Sequence, residues 1–170
     1  MAKVAVALSL TLMTGVVSMA QTPSQYRVKA EFLANFLRYV EWPTRPPTGP
    51  YVICVVGLER VETIVAETVK GDTIDGRPIK SRLIQEPDDG CHIIFAPTGI
   101  TTSRYARAAQ GTLTVSDAKG FLQQGGVINF VEVEGQVRFE INPDAATRAG
   151  VRISSRLLQL RWTGAAGASP

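Results

Sequence analysis

GFLQQGGVINFVEVEGQVRFEINPDAATRAGVRISSRLLQL, residues 120–160, encodes a hairpin that feeds two short helices. Val127 to Val133 is dense in β-branched and aromatic residues, and Gln136 to Ile141 resumes the same chemistry with Val137, Phe139 and Ile141 on one face. Between them Glu134-Gly135 supplies a residue that tolerates positive φ. Asn142 then fits an N-cap, Pro143 the first helical position and Gly150 the position just past the helix. Ser154 or Ser155 can cap a second helix that carries Leu157, Leu158 and Leu160.

Upstream, Pro23 to Val40 has helical periodicity. At about 100° per residue, Val28, Phe32, Leu33, Phe36, Leu37, Tyr39 and Val40 fill about half the circumference. A helix on a sheet needs a stripe of roughly 100°, so this one has apolar area to spare. Lys29 falls inside the arc. Either its stem snorkels outward from the first turn, which is the simpler reading, or it pairs with a carboxylate or ligand. Trp42-Pro43 ends the helix, since a residue before proline avoids the α region. The tryptophan at this corner reads as a core plug or, alternatively, a partner-facing anchor.

Tyr51 to Val56 (YVICVV) is a continuous apolar run, as for a strand covered on both faces. Gly57 breaks it, and Val61, Ile64, Val65, Thr68 and Val69 follow at helical spacing. Ile79 to Ile84 and Cys91 to Phe95 read as strands, and a short helix around Ser103 to Ala109 leads into a strand at Thr112 to Val115. The expected fold class is therefore α/β: one domain with a mixed β-sheet, helices on both faces, and a C-terminal β-hairpin followed by two short helices.

Met1 to Ala20 carries Lys3, an apolar and small-residue run from Val4 to Val17, and small residues at Ser18 and Ala20. This reads as a signal peptide cleaved after Ala20, because the apolar core is too short for a stable span. No cysteine follows the site, which argues against a lipoprotein. The domain then covers 21–162, and the tail 163–170, TGAAGASP from Thr163 on, has nothing to bury. Eighteen basic against 15 acidic residues give +3, and losing Lys3 leaves +2. That balance points to neither nucleic acid nor an acidic membrane surface.

The runs Leu113 to Asp117, Gly120-Phe121, Gly125 to Phe130, Val137 to Asn142 and Ser154 to Leu158 resemble the YfiR-like periplasmic proteins. So do Val40-Glu41-Trp42-Pro43 and Cys91 to Phe95, and the likeness extends from Tyr26 to Leu160. The resemblance implies a small periplasmic regulator that restrains a membrane-bound diguanylate cyclase of the cyclic di-GMP pathway. Some relatives carry the domain joined to sensor kinases, which makes a kinase the other expected partner. A homodimer is also implied, and the spare apolar arc of the first helix is compatible with one.

Cys54 and Cys91 are the only cysteines, and an even count in an exported chain suggests a disulfide, with two buried thiols as the alternative. The resemblance implies the bridge, closing a loop of about 38 residues. His92, the only histidine, reads as hydrogen-bonded at a sheet edge, since one histidine beside bridged cysteines does not make a metal site. No G-x-S-x-G, C-x-x-C or phosphate-binding glycine motif occurs. Asp88-Asp89-Gly90 reads as a turn. No catalytic residue, metal or cofactor is assigned.

Two sets of candidates remain. Trp42, Phe130 and Val151 are the expected exposed anchors for a partner. Lys29, Arg138, Glu140, Asn142, Arg152 and Ser155 form a candidate polar cluster, which either locks the C-terminal helices or lines a partner site. Arg148, Arg152 and Arg156 recur every four positions, but Gly150, Val151 and Ile153 break the helix such a stripe would need. The competing function is a small-solute receptor or enzyme, its ligand held beyond the carboxyl ends of the strands near Gly57 or Pro97-Thr98-Gly99.

Overall fold

A computed structural model describes residues 22–46, 48–107 and 110–163. The expected signal peptide and the tail from 164 onward lie outside the described residues. Helix α1 spans Pro23–Tyr39 and opens with a reciprocal cap: Thr22 Oγ1 accepts from the Gln25 N–H, and the Gln25 side chain accepts from the Thr22 N–H. Extended Val40 ends the helix and starts β1 (Val40–Glu41). Next come β2 (Tyr51–Val56), α2 (Glu59–Thr68), β3 (Thr73–Ile74), β4 (Arg77–Ile84) and β5 (Ile93–Ala96). After these lie α3 (Ser103–Ala106), β6 (Leu113–Ser116), β7 (Ile128–Val133), β8 (Gln136–Ile141), α4 (Pro143–Arg148), β9 (Arg152–Ile153) and α5 (Ser155–Leu160).

Seven strands form one mixed sheet in the order β3-β4-β2-β5-β6-β7-β8. The pairs from β4 through β7 are parallel, and β3 and β8 are antiparallel at the two edges. Parallel strands need both faces covered, and period-two alternation supplies two cores. Ile53 and Val55 of β2, with Ile93 and Phe95 of β5, face the core under α1 and α2. Cys54, Val56, Ile94 and Ala96 face the other side, where Tyr105 of α3 and the partly buried Ile100 close over them.

The hairpin forms as the sequence leads one to expect. Val133 faces Gln136, leaving the two-residue turn Glu134-Gly135 with φ of 51° and 73°. Both values are left-handed, the geometry whose twist matches paired strands. Phe130 and Phe139 stand opposite each other and receive Phe32 and Phe36 of α1, with centroids 5.2–5.9 Å apart. Asn142 Oδ1 accepts from the Ala145 N–H and Pro143 starts α4. Gly150 leaves α4 with the two backbone bonds of a glycine-stopped helix, its own N–H to Thr147 O and that of Val151 to Ala146 O. Ser154, not Ser155, caps α5 by accepting from the Leu157 N–H.

Other outcomes depart from the sequence reading. β5 begins at Ile93, so Cys91 and His92 precede the strand. β5 is also central, which places His92 at the end of an interior strand and not at a sheet edge. The segment of β-branched residues after α4 becomes β9, which pairs antiparallel with β1 as Val40↔Ile153 and Glu41↔Arg152. Arg148, Arg152 and Arg156 consequently belong to three different elements. Helix α3 ends at Ala106, and residues 108–109 of the expected helix lie outside the described residues.

Candidate functional site

Lys29 does not snorkel. Its ammonium lies 2.5 Å from Asp117 Oδ2, with side-chain exposures of only 5% and 2%. Helix α1 presents Lys29 on its buried face, and Asp117 follows β6 at the point where β7 runs on past it. The second Asp117 oxygen accepts from the Thr98 N–H, and the Thr98 hydroxyl donates to the Asp117 carbonyl. Lys29 also stands over the rings of Tyr26 (5.1 Å) and Phe130 (6.0 Å). Burial, and secondarily the Asp117 charge, pushes the Tyr26 hydroxyl above its usual range. The pair ties α1, the loop after β5 and the end of β6 together.

An open cleft of about 440 Å³ extends from this pair between the 117–123 segment and the hairpin. Glu140, Glu132, Lys119 and Gln123 line it, and Gln25 Nε2 donates to Glu132 at 2.8 Å. Asn129, also in the lining, has one amide terminus 3.1 Å from both the Ser116 and Ala118 carbonyls, two acceptors that assign the nitrogen to that side. The cleft can hold polar groups. Its most buried carboxylate, Asp117, is already paired and hydrogen-bonded.

The expected polar cluster is thus divided. Lys29 and Glu140 share the cleft, whereas Arg138 points to solvent and donates to Gln136 Oε1. Asn142 caps α4 and donates to the Leu122 carbonyl. Arg152 sits on β9 with Glu41 at 4.0 Å, both largely exposed, and Ser155 is exposed at the start of α5. Alternation along β8 keeps Arg138 and Glu140 on one side, but strand twist and the turn into α4 carry the rest elsewhere.

The expected anchors are not exposed. Trp42 is 9%, Phe130 3% and Val151 4% accessible. Trp42 is a core plug whose Nε1–H donates to the His92 carbonyl at 3.2 Å, Phe130 packs under α1, and Val151 follows the α4 stop into the core. The aromatic at a corner and the apolar residue beside a helix stop face inward because that is where the sheet offers contact. Of the apolar arc of α1, Val28 alone stays exposed.

Cys54 and Cys91 form a disulfide joining β2 to the chain just before β5, with Cα atoms 5.8 Å apart. Both are fully buried, and Arg82 Nη2 lies 3.7–3.8 Å from the two sulfurs. Asp88-Asp89-Gly90 is a turn in which Asp88 accepts from the Gly90 N–H and pairs with Arg82. His92 is buried, its Nδ1 accepting from the Val52 N–H. Burial first, then the Arg45 and Arg77 charges, lowers its pKa to about 4, so it is neutral at ordinary pH. Of the two places where the solute-receptor reading puts a ligand, Gly57 is closed by the protein's own packing. A Cβ on Gly57 would meet Ile100 Cδ1 at 2.9 Å.

Sequence reasoning missed Asp117, Glu132, Asn129 and Arg45. The signal for Asp117 was available: a lysine inside an apolar arc calls for a buried carboxylate, and Asp117 directly follows the strand residues Leu113-Thr114-Val115-Ser116.

A family model described as YfiR/HmsC-like matches residues 26–161, from the first turn of α1 through the end of α5. The chain belongs to this family, a family of periplasmic regulatory proteins.

Proposed function

We propose that this member of the YfiR/HmsC-like family is exported to the periplasm and restrains an inner-membrane signalling enzyme by binding its periplasmic part. The first-choice target is a diguanylate cyclase of the cyclic di-GMP pathway, with a sensor kinase as the other candidate. The observation that carries this reading is the family match over residues 26–161, which takes in both the sheet and the C-terminal hairpin. The cysteines, the histidine and Asp117 support it, since each of these has structural work. The cysteines are bridged, the histidine is neutral and hydrogen-bonded, and Asp117 is paired. Recognition without turnover is what such a surface can supply. A homodimer belongs to the same proposal, to be checked by light scattering of the purified chain.

Crosslinking in intact cells followed by purification of the tagged, exported chain tests the reading. Recovery of a cyclase or kinase with a periplasmic segment is expected, with the crosslink mapped to that segment. Recovery of neither, at crosslinking yields that capture a known periplasmic complex, would refute it.

The polar cleft beyond β6 and β7 favours one second reading, a solute receptor with its ligand among Gln25, Glu132 and Glu140. Saturable binding of a small polar solute, lost in Glu140→Gln, would support that alternative.

A further inference from the structure

At the amino ends of β2 and β5 the chain leaves a separate recess of about 290 Å³. Trp42, Tyr51 and His92 wall it, with ring centroids 5.1–6.0 Å apart. His92 is 7% exposed, and because Nδ1 accepts from the Val52 N–H, the ring proton resides on Nε2. That N–H has no hydrogen-bond partner among the described residues. No fully buried side-chain nitrogen or oxygen among them lacks one either, so Nε2 opens onto the recess that His92 lines.

Two guanidinium groups border the same space, each fixed from behind. Arg45 donates through Nε to the Gly111 carbonyl and through Nη2 to the Cys91 carbonyl and Thr112 Oγ1. Arg77 donates through Nε and Nη2 to the Gly49 and Thr48 carbonyls and lies 3.9 Å from the Tyr51 ring centroid. Each keeps Nη1 uncommitted, and neither joins an ion pair among the described residues. The carboxylates on the rim, Glu41 and Asp75, are both exposed, and Glu41 lies 4.0 Å from Arg152. Fixed cationic donors, a neutral N–H and aromatic walls suit a planar anion with an apolar body.

We propose that this recess binds a small aromatic carboxylate. Its oxygens bridge the free Nη1 groups and His92 Nε2–H, and its ring lies against Tyr51 and the edge of Trp42. The recess is at the lower end of ligand-site volumes, so the ligand is of single-ring size. The site is independent of the regulatory reading.

The test is an NMR titration of the purified chain with benzoate, with benzyl alcohol and inorganic phosphate in parallel. Benzoate is expected to move the Trp42 indole and His92 ring signals saturably, and benzyl alcohol is not. Arg77→Gln, a part-exposed position, should weaken benzoate roughly tenfold with a native spectrum, as loss of one charge-assisted contact implies. Tyr51→Leu should weaken it without changing phosphate. Absence of saturation to about 10 mM benzoate, phosphate binding as tightly as benzoate, or unchanged affinity in both variants would overturn the proposal.

Discussion

The two ends of the sheet treat buried polarity in opposite ways. At the carboxyl end, Lys29 and Asp117 are both nearly inaccessible, and each has the other as counter-charge. At the amino end, His92 is equally buried but faces Arg45 and Arg77, and it keeps no charge. The lesson is that burial, the larger cause of the His92 shift, is reinforced there by two like charges, whereas at Lys29 and Asp117 each buried group is offered a partner of opposite sign. A charge with a partner becomes a clamp between elements distant in sequence. A titratable group among like charges becomes a neutral hydrogen-bonding spacer, and a latent sensitivity to acid.

Breaking the first half of this contrast should have the largest effect. Asp117→Ala leaves the Lys29 ammonium without its counter-charge and should cost about 3–5 kcal/mol in denaturant unfolding. The double variant Lys29→Met/Asp117→Asn should cost less than Asp117→Ala, since no buried charge then remains. Equal or greater loss would mean that the pair is not what makes the single change costly.

At the amino end, Cys54→Ala/Cys91→Ala should cost about 4 kcal/mol, from the closure entropy of a loop with a sequence separation of 37. The measurement is urea unfolding with and without reductant: the wild type should approach the variant on reduction, and the variant should not respond.

His92 gives the third effect. The unfolded chain takes up its imidazole proton near pH 6.5 and the folded protein only near pH 4. The stabilising contribution is therefore complete above 6.5 and is lost as pH falls towards 4, the loss amounting to about 2 kcal/mol by pH 5. Because the chain has a single histidine, a slope in unfolding free energy between pH 7 and 5.5 reports mainly on this group. His92→Gln should flatten it. A wild-type profile that is flat in that interval would contradict the assignment of a neutral, buried ring.

The smallest effect sharpens the contrast from outside. Arg152 and Glu41 make a long ion pair with side-chain exposures of 75% and 76%, and Arg152→Ala should change stability by no more than about 0.5 kcal/mol.

The fold was legible where short-range signals agree. YVICVV needs cover on both faces, Glu134-Gly135 needs a tight turn, and Asn142, Pro143 and Gly150 punctuate one helix. The β1–β9 pair was not, because two-residue strands carry no period and their pairing joins residues 40 and 153. The site was legible only in part. Lys29 announced a conflict in its own helix, but its partner lies 88 residues away and only the sheet order brings them together. Phe130 and Val151 are expected outward, and Trp42 either as a core plug or as an anchor, because aromatic and aliphatic side chains serve interfaces and cores alike. Which they serve depends on the packing of α1 against β7 and β8.

The claim underlying the functional account is restraint of a membrane signalling enzyme, and cellular cyclic di-GMP measures it most directly. Deleting the gene should raise the nucleotide, and an exported copy should restore the original level whereas a copy lacking residues 1–20 should not. Unchanged cyclic di-GMP in the deletion strain, under conditions where the protein is made, would contradict the account for a cyclase.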